Sequence, residues 1–463
     1  MKQRPVLARW LFLALGGFFL APALRADSPL HANVLVFIPA YEGSKLYDPT
    51  LNRLGDDPVC VWGDLAAIRL SKLYFALRNP NPLTAGPMLS AGPINVYGDF
   101  IEGMTEEQDT PGFHAYTKDA DFFTFWYDWR QEVATVTAPA LAQALEQYAR
   151  IHEEKTGIPA PQTKFVIVAH SMGGLVARTF LNENPQWASR ISAMYLVGPP
   201  NLGSVKAIQT VVVGPGGLKE NVSSFPETLL NLLPNNVDVN VTKLVAISRP
   251  SLYELLPFDD PRWECVAADG SRRRVSAQDL LTIGPWEPYW PTAQLEQKLF
   301  LNDWLKKRIA EGRKRIDLPD WEFCQDADLS KLQHILAQVR EWRLRLGALS
   351  YTNTLLTAPG QDSRLHVILG SGLKTPTGII TEGLHDSATS RYTYEPGIDG
   401  DETVTTVSAL DDLHAGDKNV KTLNGVSHGK LMTDQQFLDY LFQELASQPL
   451  ADPDLRSATN QTL

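Results

Sequence analysis

The chain has 463 residues, 44% of them apolar and 21% charged. That composition excludes global disorder and supplies a full-sized core, in one large domain with insertions or in two to three small ones. Lys and Arg number 42 against 53 Asp and Glu, a net charge of −11 with no basic block. Nucleic-acid binding is therefore not expected, because phosphate neutralisation needs clustered cations. The 11 Trp, 14 Tyr and 18 Phe point to apolar contact surfaces beside ordinary core. Three cysteines without ligand spacing predict neither a disulfide scaffold nor a metal site, and no cofactor is expected.

Residues 1–26 read as a secretory signal. Lys2, Arg4 and Arg9 form a positive start, Leu11 to Leu20 an apolar run, and Ala21-Pro22-Ala23 and Ala26 supply small residues for cleavage after Ala23 or Ala26. The run is too short to span a bilayer. Cleavage after Ala26 removes four positive charges and no acid, taking the net charge from −11 to −15. The rest, 27–463, is expected to be exported to the periplasm or secreted, and to be soluble or peripherally attached to a membrane or lipid particle. In an oxidising compartment Cys265 is expected to pair with Cys324, two buried free thiols being the alternative.

Strands then alternate with helical patterns, the signature of a mainly parallel sheet. Strands are predicted at Val34–Ile38, Phe122–Trp126, Lys164–Ala169, Ile191–Val197, Leu244–Ile247, Leu365–Leu369 and Val420–Leu423. Helices are predicted at Pro139–Ile151, where Leu141, Leu145 and Tyr148 share a face, at Leu175–Asn182 and at Thr433–Leu445. Two regions break this rhythm. Residues 50–108 are rich in Pro, Gly and Asn around an amphipathic piece, Leu65–Leu77, and read as a lid or membrane-binding excursion. Pro261–Arg345 carries six Trp and a charged helical stretch, Thr292–Arg315, without strand alternation. Together with the glycine-bearing apolar stretch Val205–Asn240, it predicts a helical cap over 205–345. The polar tail, 447–463, is expected to be flexible.

The sharpest chemical signal is Ala169-His170-Ser171-Met172-Gly173-Gly174, at the end of one predicted strand and the start of a helix. A nucleophilic Ser on such a strained turn needs small residues two before and two after it, here Ala169 and Gly173. The helix start supplies a free N–H, from Met172, toward a developing oxyanion. A hydroxyl needs a base. His170 is expected to point away from Ser171, and in this strand–turn–helix architecture the order is Ser, then an acid, then His. His428, flanked by Gly425 and Gly429 in a late loop, fits; His385 and His414 compete. For the carboxylate that orients the base, Asp401 in Asp399-Gly400-Asp401-Glu402 is preferred, with Asp399 and then Asp411 and Asp412 as alternatives. The second oxyanion donor is placed at the N–H of Tyr41, in the loop after the first strand. Tyr127-Asp128-Trp129-Arg130 follows a strand where ligands sit. It reads as an Asp–Arg pair bracing an acyl pocket, and Trp62 is a further pocket candidate.

These residues carry a family resemblance. The run VLVFIPAYEGSKL, Tyr127-Asp128-Trp129-Arg130 and AHSMGGLVAR resemble, in order, elements of the lecithin:cholesterol acyltransferase family. So do Gly198 to Ser204, Pro250 to Pro257, Gly370 to Pro376, Gly400 to Val404 and the His428 loop. Ala40 stands where the family usually has Gly, and Glu402 where Gly or Asp is common. The resemblance implies an α/β-hydrolase core with an inserted cap and a small membrane-binding subdomain. It also implies Asp401 as the catalytic acid. The implied reaction moves a fatty acyl chain from a glycerophospholipid onto Ser171 and then to a lipid alcohol or water. A lipase or carboxylesterase on other esters, and a non-catalytic lipid-binding protein, are the alternatives.

Overall fold

Six of the seven predicted strands lie side by side. In the computed structural model, six parallel strands form the central sheet: β1 (Asn33–Ile38), β2 (Phe122–Thr124), β3 (Lys164–His170), β4 (Ile191–Val197), β5 (Leu365–Ser371) and β6 (Val420–Asn424), in the order β6-β5-β4-β3-β1-β2. The structure describes residues 29–48, 59–63, 82–91, 94–212, 249–258, 262–267, 269–289, 329–383 and 389–452. Every residue of β1 is buried. That is why β1, β3, β4 and β5 read as continuous hydrophobic runs and not as alternating ones, since helices cover both faces of the sheet. Each fully buried Val, Leu, Ile or Phe side chain contributes about 1.5–3 kcal/mol.

The chain leaves β1 toward β2 at one edge and then returns to β3 on the other side of β1. A crevice therefore opens beyond the carboxyl ends of β1 and β3, where ligands bind in sheets of this kind. Register sets the two ends level, with Ile38 opposite Ala169 and His170 opposite Val197. Helix α1 (Ala138–Thr156) packs Leu141, Leu145 and Ala149 inward, and ends at Gly157 with a left-handed φ of 80°. Helix α2 (Met172–Glu183) is buried over its whole first half. The predicted strand and helix positions are matched within a few residues, and the last helix is α4 (Gln435–Leu445). The strand predicted at Leu244–Ile247 lies outside the described residues. So do residues 1–26, Leu65–Leu77, Thr292–Arg315, His385 and Cys324.

Three expectations are corrected. Pro261–Arg345 does contain strands: Trp263–Val266 pairs with Arg272–Val275, and these join Gly378–Glu382 and Thr389–Thr393 in a four-stranded sheet. The second of these strands reads Arg-Arg-Arg-Val, with only Val275 buried, so its pattern carries no apolar alternation. Helix α3 (Leu329–Leu346) packs beside this sheet, and Trp263, Trp286, Leu252, Ile208 and Ile379 share a second core there. The tail is also paired in part. Ala32 donates to Pro449 at 2.8 Å and Ala451 to Leu30 at 2.7 Å, main-chain bonds that no side-chain pattern announces. Cys265 is a free thiol and not half of a disulfide. Among the described residues no helix is long and apolar enough to cross a membrane.

Candidate active site

Ser171 sits between β3 and α2 with φ 54° and ψ −122°, a left-handed conformation that costs a non-glycine residue energy and recurs at functional turns. The turn closes only because its neighbours are small. A Cβ on Gly173 would stand 2.5 Å from the Ile38 carbonyl oxygen and 2.6 Å from that of Pro39, and one on Gly174 would stand 3.1 Å from Pro199 Cβ. The close approach at Gly173 holds the elbow against the end of β1. Met172 opens α2, so its N–H is one of the helix donors without an internal acceptor.

Ala40 to Gly43 form the turn after β1, with Gly43 N–H donating to the Ala40 carbonyl at 2.9 Å and Glu42 at φ 60°. The N–H of Tyr41 makes no main-chain hydrogen bond among the described residues. Beneath this turn lie the aromatic candidates. Trp129 meets Tyr41 edge-on at 4.9 Å and Trp62 at 5.3 Å. Trp62 Nε1 donates to the Glu42 carbonyl at 3.1 Å, and the Tyr127 hydroxyl donates to the Pro39 carbonyl at 2.9 Å. Asp128 and Arg130 face each other: Nε to Oδ1 at 2.7 Å and Nη2 to Oδ2 at 2.6 Å, with the Leu83 N–H donating to Oδ2 at 2.9 Å. Burial alone raises the Asp128 pKa, but the Arg130 hydrogen bond and charge outweigh it and hold the carboxyl below its ordinary range. This pair is buried and ties the Leu83 segment to the turn after β2.

His428 comes from the loop after β6, which leaves the strand through Gly425 at φ 74°. Its Nε2 is 2.9 Å from Ser171 Oγ, and its Nδ1 is 2.7 Å from Asp401 Oδ2. The other Asp401 oxygen accepts from the N–H groups of Thr403 at 3.0 Å and Val404 at 2.7 Å. That turn is fitted against β5: a Cβ on Gly370 would stand 2.6 Å from Asp401 Cβ. Ser204 Oγ donates to the Thr403 carbonyl at 2.6 Å and Asn201 Nδ2 to that of Ala409 at 2.6 Å. The Gly198–Ser204 segment thus braces the acidic turn from outside.

The other candidates are elsewhere. Asp399 accepts from Gly372 N–H at 2.6 Å, and Asp411 and Asp412 accept from Leu349 and Ser350 at the start of a helix. His414 is exposed, its N–H bonded to Asp417. His170 points away from Ser171: its Nδ1 is 2.9 Å from the Tyr97 hydroxyl. Tyr97 carried no sequence signal, being a single aromatic in an irregular stretch. Glu42 also escaped notice. Burial pushes its carboxyl up to about 8, and its Oε2 has no hydrogen-bond partner.

A hydroxyl, an imidazole and a carboxylate at these separations, in the order Ser, Asp, His along the chain, are the groups that acyl transfer through serine requires. The family model described as lecithin:cholesterol acyltransferase matches residues 109–422. The chain belongs to this family. A curated relative, the uncharacterized protein YJR098C of Saccharomyces cerevisiae, is 22% identical over 429 residues, which cover 86% of this chain and 59% of that protein. The chain thus spans less than two thirds of that relative's length. A solved structure, the Tle4–Tli4 complex, is similar in fold, with a TM-score of 0.55 and 16% identity over 91% of this chain and 99% of that one. The mainly parallel sheet with helices on both sides is that of an α/β-hydrolase core, as the resemblance implies.

Proposed function

We propose that this member of the lecithin:cholesterol acyltransferase family is an exported serine acyltransferase or phospholipase working at a lipid surface. Ser171 Oγ attacks the carbonyl carbon of a glycerophospholipid ester while His428 Nε2 takes its proton. The oxyanion lies between the N–H groups of Tyr41 and Met172, each such donor being worth about 10²–10³ in rate. Asp401 holds the imidazole with its Nδ1–H directed at the carboxylate and stabilises the imidazolium. On collapse the ester C–O bond breaks and His428 returns the proton to the leaving lysolipid oxygen. An alcohol or water then attacks the acyl-Ser171 ester, loses its proton to His428, and releases the serine. The aromatic floor of Trp62, Tyr127 and Trp129 lies under the oxyanion turn and gives an acyl chain an apolar wall. The positive start, apolar run and small residues of the first 26 positions support export.

The reading rests on one observation, the unbroken hydrogen-bonded chain from Ser171 through His428 to Asp401. The test is incubation of the purified protein and its Ser171→Ala variant with acyl-labelled phosphatidylcholine, with and without a sterol. Free fatty acid alone indicates a phospholipase, and a labelled sterol ester indicates transfer. Equal turnover by the variant, or no product from either protein, overturns the proposal.

A further inference from the structure

Two buried side chains outside the Ser171–His428–Asp401 chain join its two loops. The Ala40 N–H donates to the Tyr97 oxygen at 3.1 Å, the Tyr97 hydroxyl is 2.9 Å from His170 Nδ1, and His170 Nε2 is 3.2 Å from the His428 carbonyl oxygen. With a neutral imidazole, the two ends set the direction of every bond. A backbone N–H only donates and a carbonyl only accepts. His170 must therefore carry its proton on Nε2, which leaves Nδ1 as an acceptor. Tyr97 must then donate to Nδ1 while its oxygen accepts from Ala40. One neutral imidazole in one tautomer completes the line, and no proton is left over or missing.

The surroundings keep it so. Burial, helped by the adjacent His428, holds His170 down at about 3, against the opposing hydrogen bond to the His428 carbonyl. Burial likewise keeps the Tyr97 hydroxyl protonated. The His170 ring lies 5.1 Å from that of His428, tilted by 32°. Tyr97 stands edge-on to His170 at 5.8 Å and to Phe37 of β1 at 4.8 Å. The line starts one residue before Tyr41, the proposed oxyanion donor, and ends on the main chain of His428, the proposed base. Ala40 lies in the irregular turn after β1 and His428 opens a short 3-10 turn, His428–Thr433.

From this we infer that Tyr97 and His170 are positioning residues that set the oxyanion turn and the base loop at a fixed spacing across Ser171. The inference rests on the proposed serine mechanism. A small misplacement between donor and base acts on the transition state more than on ground-state binding. The test uses Tyr97→Phe, His170→Gln and the double variant, in kinetics on labelled phosphatidylcholine. Each single change is expected to lower kcat about 10–100-fold with KM within about twofold, and the double variant to fall no further than the worse single, since both break one line. Unchanged kcat, or multiplicative losses in the double variant, overturns the inference. Nitrogen NMR of the unmodified protein gives an answer even where a variant does not fold. His170 is expected with a protonated Nε2 and a bare Nδ1 throughout about pH 5 to 9; a titrating His170, or one protonated at Nδ1, is equally contrary. Reaction of Ser171 with a fluorophosphonate separates the two levels. An unreactive Ser171 sinks the serine mechanism itself, whereas a reactive Ser171 with full turnover in Tyr97→Phe sinks only the spacing role.

Discussion

His428 and Asp401 are joined twice, by the His428 N–H to the Asp401 carbonyl at 2.8 Å and by Nδ1 to Oδ2 at 2.7 Å. The main-chain bond places the ring and the side-chain bond selects its tautomer. These two effects separate in Asp401→Asn. Asn keeps the main-chain bond and an Oδ1 that accepts from Thr403 and Val404, but it presents an N–H to Nδ1. The tautomer then reverses and Nε2 is protonated where it must accept. Turnover is expected to fall on the order of 10⁴-fold with a near-unchanged melting temperature, measured by kinetics beside calorimetry. Loss of both together would mean that the carboxylate acts chiefly in folding.

Gly173 gives a second prediction. Its missing Cβ lets the elbow approach the Ile38 and Pro39 carbonyl oxygens, at 2.5 and 2.6 Å from where that atom would stand. Gly173→Ala must push the elbow away from β1 and so from the Tyr41 turn. About a 10²-fold loss of turnover is expected, since displacements near 1 Å have that effect, with a lower melting temperature. Gly416→Ala is the control, because nothing lies within 4 Å of an added Cβ there. Full activity in Gly173→Ala would contradict the packing argument.

Glu42 makes stability depend on pH. Burial raises its carboxyl from 4.5 to about 8. Between those values the folded protein holds a proton that the unfolded chain releases. The contribution is therefore fully present below the unfolded value and is lost as pH rises through the folded one. Glu42→Gln keeps the shape and removes the ionisation. The melting temperature of the original protein is expected to drop relative to this variant between about pH 5 and about pH 9. A difference that stays constant over that range would refute the assignment.

The Asp128–Arg130 pair is buried, and the same carboxylate holds the Leu83 N–H. Removing one partner leaves an uncompensated charge, which costs about 3–5 kcal/mol. Denaturant unfolding of Asp128→Ala is expected to show a loss of that size, and Asp128→Ala with Arg130→Met a smaller one. A cost under about 1 kcal/mol would mean that the pair behaves as a solvated one.

What the sequence made legible follows from how local each signal is. Lys164–His170 announces itself because a strand buried on both faces needs an unbroken apolar run, and Ser171 because the elbow needs small neighbours at fixed offsets. The order Ser171, Asp401, His428 lies in the chain itself. The Arg272–Val275 strand is not legible, since its stability comes from the partner strand while its own side chains face water. Tyr97 is not legible either. Its partner His170 is 73 residues away, and only the fold brings the two side chains together. Asp401 and Asp399 are equal by composition. The fold separates them, with Asp401 on His428 Nδ1 and Asp399 taken by the Gly372 N–H.

The most direct test is to trap the acyl-enzyme. The protein is mixed with acyl-labelled phosphatidylcholine, quenched with acid within one turnover, digested and mapped by mass spectrometry. The account predicts one fatty acyl group on the peptide bearing Ser171, and none in Ser171→Ala. Turnover of the lipid with the label on another residue, or with an unmodified Ser171 peptide throughout, would contradict it.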